Sequence, residues 1–369
     1  MRVGLGGGHH HGDGRIGEAE QIDTALRHAG MQNLEKRFDH LVRSAGTKGS
    51  GLDQVSKRIE AALDTVPNNK PFFLYFGFNQ PHRKFSATFD GIDPAKLELP
   101  PDWPDLPEVR IDYARYLASV RELDQGFGQI MQLLVERGIE DNTLVLFMGD
   151  NGEALLRGKS PLYGCGTHVQ LLIRWPGHVA PHSESSALVC GTDLGPMILE
   201  ACGMKPAGGM TGKSFVGELT GKKQIDRRYV FAERGWHFGP ITRTDGLDFS
   251  RSITSTRYRY IYNALPERSY TPVDMADKDA WKAIQQALAS GRLSPLHQRL
   301  YFQKPRPMTE LYDLQNDPLE LRNLSGNTST SETEDTLRKE LEAWMIRESD
   351  FLPLPTHALQ TTRKKSTDK

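Results

Sequence analysis

The sequence predicts a layered α/β fold, a mixed sheet flanked by helices, followed by a smaller α+β subdomain made of an antiparallel sheet and a helix. Three observations predict it. Continuous apolar runs of strand length end in turns bounded by Gly, Pro or Asn, and a stretch of helical periodicity separates the first two. Beyond about residue 225 those runs give way to short segments of polar alternation.

The first strand is predicted at Phe72–Phe76, continuously apolar as a strand buried on both faces would be. Pro71 precedes it, and Asn79-Gln80-Pro81-His82 supplies the turn after it. Tyr113, Tyr116, Leu117, Val120, Leu123, Phe127, Ile130 and Leu134 then recur at spacings of three and four, the helical period, and Gly138 is placed to end that helix. Asp141-Asn142 turns the chain into a second buried strand, Thr143–Met148, which runs into Gly149-Asp150-Asn151-Gly152. A third strand, Val169–Trp175, is stopped by Pro176-Gly177, and a helix from near Asp193 to Gly203 follows. Further on, Arg228–Glu233, Arg251–Ile253, Arg257–Tyr262 and Glu310–Leu314 read as strands of an antiparallel sheet with one wet face. Ser331–Ile346 reads as an amphipathic helix with an acidic first turn and with Leu337, Leu341 and Trp344 on one side. The expected organisation is a core over 1–225, a subdomain over 226–348 and a tail over 349–369.

Charged residues make up 25% and hydrophobic residues 37% of the 369, an ordinary folded composition. A formal net charge of -1 provides no basic field, so nucleic acid is not an expected partner. No apolar run is long enough to span a membrane. Cys165, Cys190 and Cys202 lack metal-ligand spacing and are odd in number, so they are expected as small buried side chains. The opening MRVGLGGGHHHGDG has no apolar stretch of the kind a signal peptide needs.

In open α/β sheets, sites gather at the carboxyl ends of the strands, and two of those ends carry chemistry here. Asp150 and Asn151 offer two hard oxygens on a tight, glycine-bounded turn, which suits Ca²⁺ or Mg²⁺ better than zinc. Two ligands are fewer than such an ion takes, and an Asp-Asn-Gly turn with no ion explains the same residues. Lys159 could hold an anion as a point charge, or be a solvated surface lysine. His82 could pass a proton to a leaving group, or be a plain turn histidine. Together the four describe a place for a divalent cation and a tetrahedral oxyanion.

The segments PFFLYFGFNQPH, RELDQGFGQIMQLL, DNTLVLFMGDNGE, RGKSPLYGCGTHVQLLIRWPG and TELYDLQNDPLELRNL, taken in order, resemble the sulfatases of the alkaline-phosphatase-like superfamily. The wording of PFFLYFGFNQPHRKF and RYIYNALPERSYTPVDM resembles bacterial relatives of the heparan N-sulfatases, the N-sulfoglucosamine sulfohydrolases. The resemblance implies that Asp150 and Asn151 are calcium ligands, with magnesium as the alternative. It implies that Lys159 and His82 contact the sulfate, and that the substrate is a sulfated carbohydrate handled in the periplasm or outside the cell. His11, in the run His9-His10-His11, matches a sulfate-binding histidine of the family, and Arg234 and His237 fall where relatives bring subdomain residues to the sugar.

The sequence also departs from the family pattern. Sulfatases make a formylglycine nucleophile from C-x-P-x-R or S-x-P-x-R, and neither motif occurs here. No Asp-Asp pair is present to complete a calcium site, and the usual G-x-R-V-P is Gly166-Thr167-His168-Val169-Gln170. The expectation is therefore a sulfatase chain without its nucleophile segment, inactive by itself. The competing readings are a non-catalytic remnant that binds sulfated glycan or a partner, and a phosphodiesterase or phosphonate hydrolase of the same superfamily.

Overall fold

The computed structural model of the chain describes residues 52–67, 69–236 and 247–353. Its contacts divide it into two units, the first reaching Glu98 and resuming over Arg110–Thr143, the second comprising Leu99–Val109 and the chain from Leu144 on.

The first unit holds helix α1 (Leu52–Asp64) and helix α2 (Pro107–Glu136) from Arg110 onward. α2 ends at the glycine its sequence provides. Gly138 takes φ +64°, its amide donates to Val135 O at 2.9 Å, and the Ile139 amide reaches back to Leu134 O at 3.0 Å, so two terminal carbonyls are satisfied. Arg137 ties the end of α2 to Asp64 of α1 at 2.6 Å. Val55, Ile59, Leu63 and Leu133 form an apolar cluster, and Phe72, Leu74, Phe76 and Phe78 pack on it. The strand predicted at Phe72–Phe76 is not a ladder: within it only Leu74 makes a bridge. Its even-numbered side chains meet the cluster, whereas Phe73 and Tyr75 are 38% and 49% exposed. A continuous apolar run is buried on both sides only where neighbours cover both faces, and among the described residues this one has a single covered face.

In the second unit β1 (Val145–Met148) pairs antiparallel with β2 (Leu171–Arg174), Val145 opposite Arg174. Both are shorter than predicted. The Thr143 hydroxyl turns back to Ile139 O at 2.6 Å, and the His168 amide closes a one-turn helix at Gly164–Thr167 by donating to Gly164 O at 2.8 Å. The helix expected near Asp193 is α3 (Leu194–Ala201), with Gly203 at φ +72° beyond it. The cysteines are free, and Cys165 and Cys202 are exposed, contrary to expectation: Cys165 lies within the one-turn helix Gly164–Thr167 and Cys202 just past the end of α3.

Four strands, β3 (Val230–Trp236), β4 (Leu247–Thr254), β5 (Tyr258–Asn263) and β6 (Thr309–Asp313), form an antiparallel sheet in chain order. Between β5 and β6 lie two helices that the sequence reading did not include, α4 (Asp279–Ala289) and α5 (Pro295–Phe302). α5 opens with a cap legible in retrospect: Ser294 accepts the His297 amide and Pro295 takes the first helical position. Helix α6 (Ser331–Arg347) covers one sheet face, packing Leu337, Leu341 and Met345 on Ile253, Tyr260 and Leu311. Past α6, Asp350 accepts from the Arg251 guanidinium at 3.0 Å and Leu352 joins the same cluster.

The other face of this sheet, predicted to be wet, is buried. Arg234, Asp248, Ser250, Arg259, Asn263 and Glu310 alternate with the α6-facing residues and are each at most 7% exposed. Leu162 and Tyr163 pack over this face against Ile261 and Tyr312. Most of these polar groups are tolerated inside because they pair with one another, Arg234 with Asp248, Arg259 with Glu320, and Ser250 and Glu310 with Asn263. Among the described residues no helix is long and apolar enough to cross a membrane.

Candidate functional site

The loop after β1 is a knot that only glycines allow. The Gly152 amide donates to Gly166 O at 3.0 Å, and a methyl on Gly152 would lie 1.8 Å from Cys165 O. A methyl on Gly158 would lie 2.2 Å from Glu153 O, and one on Gly166 would fall between Gly158 O at 2.4 Å and Pro161 O at 2.5 Å. Such distances exclude any side chain. The Lys159 amide closes the knot by donating to Glu153 O at 2.7 Å. Asp150, Asn151 and Lys159 thus project from one short, tightly crossed segment.

Asp150 is exposed, and its Oδ1 accepts from both the Asn151 amide at 2.9 Å and Asn151 Nδ2 at 2.8 Å. The pair offers a divalent ion Asp150 Oδ2 and, after the amide group turns, Asn151 Oδ1. Among the described residues no three His, Cys, Asp or Glu side chains gather to hold a metal. The donor chemistry suits a hard cation, but two side-chain oxygens are a fraction of the six to eight that Ca²⁺ takes. Lys159 Nζ is paired with Asp274 Oδ2 at 3.0 Å, both side chains mostly buried. An anion arriving at Lys159 therefore competes with, or joins, the Asp274 carboxylate.

His82 belongs to the first unit and is half-buried. Its amide donates to Asn79 O at 2.9 Å, and its Nδ1 lies against the Arg83 carbonyl. A ring nitrogen facing a carbonyl carries the proton, so in the neutral ring Nε2 is the basic nitrogen, and acid catalysis from it needs the imidazolium. Arg83 anchors the turn: it is 8% exposed, donates to Asp112 Oδ1 at 2.9 Å and lies over the Phe85 ring at 4.1 Å. Arg234, on β3, is 7% exposed and paired with Asp248 at 2.9 Å, so it faces the interior of the second unit. His11 and His237 lie outside the described residues.

Sequence reasoning missed the residues that hold the knot in place. Arg157, 1% exposed and with φ 56°, donates to Leu319 O at 2.9 Å and Glu320 O at 2.8 Å. Its amide donates to the Tyr270 hydroxyl at 2.7 Å, its guanidinium stacks over Tyr163 at 4.1 Å, and the Asp102 carboxylate stands 3.6 Å away. Glu320, also 1% exposed, pairs with Arg259 Nε at 2.8 Å and accepts the Gly164 amide. Arg259 in turn donates to Leu162 O at 2.8 Å. Burial pushes the Glu320 carboxyl above its ordinary range, against the opposing pull of Arg259 and the Gly164 amide. Through these bonds the segment after β6 clamps the knot to the buried sheet face.

The sequence model of the sulfatase family matches residues 18–204, and that of the N-sulphoglucosamine sulphohydrolase C-terminal region matches residues 152–279. An ulvan-active sulfatase of Formosa agariphila is 29% identical over 312 residues, which is 84% of this chain and 50% of that protein. The human N-sulphoglucosamine sulphohydrolase is 26% identical over 337 residues, 82% of this chain and 66% of the other. The solved structure of BT4656 with its substrate D-glucosamine-2-N,6-O-disulfate superposes with a TM-score of 0.59 at 17% identity, covering 84% of this chain and 72% of that one. That likeness bears on the fold, an α/β core with a C-terminal sheet subdomain. The chain spans about half the length of curated relatives such as the two ulvan-active sulfatases, at 50% and 53%.

Proposed function

The chain belongs to the sulfatase family, and on that premise we propose that it carries the cation-side and sulfate-side residues for hydrolysis of sulfate esters or N-sulfates on carbohydrate. Members of the family use a divalent metal ion and a formylglycine. The observation that carries the proposal is the glycine knot, which presents Asp150, Asn151 and Lys159 from one clamped segment. Asp150 and Asn151 would hold the cation, with calcium the expected ion and magnesium the alternative. When bound, it supplies charge neutralisation at a non-bridging sulfate oxygen. The remaining ligands have to come from beyond these two side chains. Lys159 holds the sulfate as a point charge, with Asp274 keeping its ammonium in place. His82, as imidazolium, passes a proton to the leaving oxygen or nitrogen. His11, Arg234 and His237 are the other family-matched positions, His11 for the sulfate and the latter two for the sugar, which Arg234 meets only if it turns away from Asp248.

The 369 residues contain no C-x-P-x-R or S-x-P-x-R. These 369 residues are therefore proposed to bind sulfated sugar without turning it over. The test is titration of the purified chain, in calcium, with glucosamine 2-N,6-O-disulfate and with unsulfated glucosamine, while released sulfate is followed by ion chromatography. The expected outcome is binding of the disulfate only, loss of that binding in Lys159→Ala, and no sulfate release. Equal binding of both sugars would remove the sulfate site, and sulfate release by the purified chain would remove the claim that it lacks a nucleophile.

A further inference from the structure

Inside the second unit, the buried polar face of the β3–β6 sheet borders a cavity of about 70 Å³ that opens to solvent. Its floor is a register row: Arg234 of β3 lies opposite Ser250 of β4, and Ser250 lies opposite Asn263 of β5. Arg306 and Arg299 add two more guanidinium groups to the lining, and Glu310 is its one carboxylate.

The carboxylates near these arginines are already in use. Asp248 receives Arg234 Nη1 on one oxygen at 2.9 Å and Arg306 Nη2 on the other at 2.7 Å. Glu310 receives the Tyr163 hydroxyl at 3.0 Å, Asn263 Nδ2 at 2.6 Å and the Tyr312 hydroxyl. Ser250 donates its hydroxyl to Asn263 Oδ1 at 2.9 Å. The Nε–H groups of Arg234 and Arg306 are buried and have no hydrogen-bond partner among the described residues. Both arginines line the cavity, and the Arg234 side chain is only 7% exposed. In formal charge Arg234 and Arg306 are offset by Asp248 and Glu310, and the exposed Arg299 adds a further guanidinium at the lining. Buried charged donors without acceptors are costly, and a guanidinium edge matches two oxygens of one anion.

We propose that this cavity is a binding site for a small tetrahedral oxyanion, sulfate or phosphate, held between the Nε edges of Arg234 and Arg306. The two cations supply charge, and their planar edges favour an oxyanion over a spherical halide. Pro161, Leu162 and Tyr163 of the knot segment line the cavity but Lys159 does not, and the proposal does not depend on sulfate hydrolysis by the chain.

The test is thermal unfolding of the full chain in sodium sulfate, sodium phosphate and sodium chloride at matched ionic strength, with sulfate affinity measured by calorimetry. A saturable rise in melting temperature with sulfate or phosphate, absent with chloride, is expected. Arg306→Met should weaken sulfate binding at least tenfold, and Lys159→Ala should leave this site's affinity unchanged. Because Arg306→Met could itself disturb folding, wild-type crystals soaked in selenate give a second measurement, with an anomalous peak expected between Arg234 and Arg306. Equal stabilisation by chloride, loss of all sulfate binding in Lys159→Ala, or selenium absent from the cavity would each overturn the proposal.

Discussion

The segment Phe72–Phe76 and strand β5 are opposites in composition and opposites in burial, in the unexpected direction. The first is wholly apolar, yet Phe73 and Tyr75 are 38% and 49% exposed. The second carries Arg259 and Asn263, yet both are at most 4% exposed. Composition states what a strand would prefer, whereas burial depends on which neighbours arrive. β5 has paired strands on both edges, α6 on one face and the Leu162–Tyr163 segment on the other. The Phe72–Phe76 segment has one bridge and one apolar cluster. A buried polar face is stable when its members form closed pairs, and an exposed apolar face is inexpensive when nothing polar is sacrificed to leave it open.

The largest effect is expected where a closed pair is opened. Glu320→Ala leaves Arg259, whose side chain is 5% exposed, without its carboxylate. Breaking a buried pair from one side costs about 3–5 kcal/mol. The exposed pair Lys282–Asp279, with side chains 56% and 88% exposed, is the internal reference. Lys282→Ala should cost less than about 1 kcal/mol. Urea unfolding followed by tryptophan fluorescence measures both. Equal costs would mean that the polar face is held by packing alone.

The glycine knot should come next. Gly152→Ala drives a methyl to 1.8 Å from Cys165 O, so the backbone has to move, at a cost of about 1–3 kcal/mol or more. Gly128, in the body of α2, has nothing within 4 Å of the same methyl position. Gly128→Ala should instead stabilise by roughly 0.5–1 kcal/mol, the ordinary gain of removing a helical glycine. The pair of melting curves separates a glycine required by close approach from one that is merely present. A harmless Gly152→Ala would show that the knot can open, and would loosen the case for Asp150, Asn151 and Lys159 as one presented set.

What could be read from the sequence, and what could not, follows the range of the forces involved. The period of α2 and its stop at Gly138 are local, and both are legible. The β3–β6 segments are legible to within a few residues, because alternation is local too. The loop Gly149–Gly152 announces itself by its glycines. Arg157 does not, because an arginine between Leu156 and Gly158 looks like a surface residue. It is buried by carbonyls of Leu319 and Glu320, more than a hundred and sixty positions along the chain. The cavity between Arg234 and Arg306 is hidden for the same reason. A retrospective signal existed: Arg234, Asp248, Asn263 and Glu310 all fall on one face once the antiparallel register is drawn.

A smaller, pH-dependent effect is expected at the rim of the sheet. Asp313 ends β6, and the Arg257 guanidinium beside it, at 2.9 Å, lowers its carboxyl to about 2, with help from Asn316 and the Gln315 amide. A carboxyl whose folded value lies below its unfolded one adds stability that is complete above about 4 and fades as pH falls toward 2. Asp313→Asn should therefore melt lower than the wild type at pH 6 and converge with it by about pH 2. A difference that does not change with pH would assign Asp313 a role in turn geometry rather than in charge.

The smallest effect tests the other half of the comparison. Phe73 and Tyr75 present their rings away from the Val55–Leu133 cluster, so replacing Phe73 with Ser removes little buried surface. The expected change in stability is within about 0.5 kcal/mol, as for surface positions in general. Leu74, between them, faces the cluster, and Leu74→Ala should cost clearly more by the same urea titration. The apolar ring pair should also promote association, so Phe73→Ser should reduce concentration-dependent light scattering. A strongly destabilised Phe73→Ser would mean that this face is covered in solution, and the contrast with β5 would then be one of degree, because both segments would be buried on two sides.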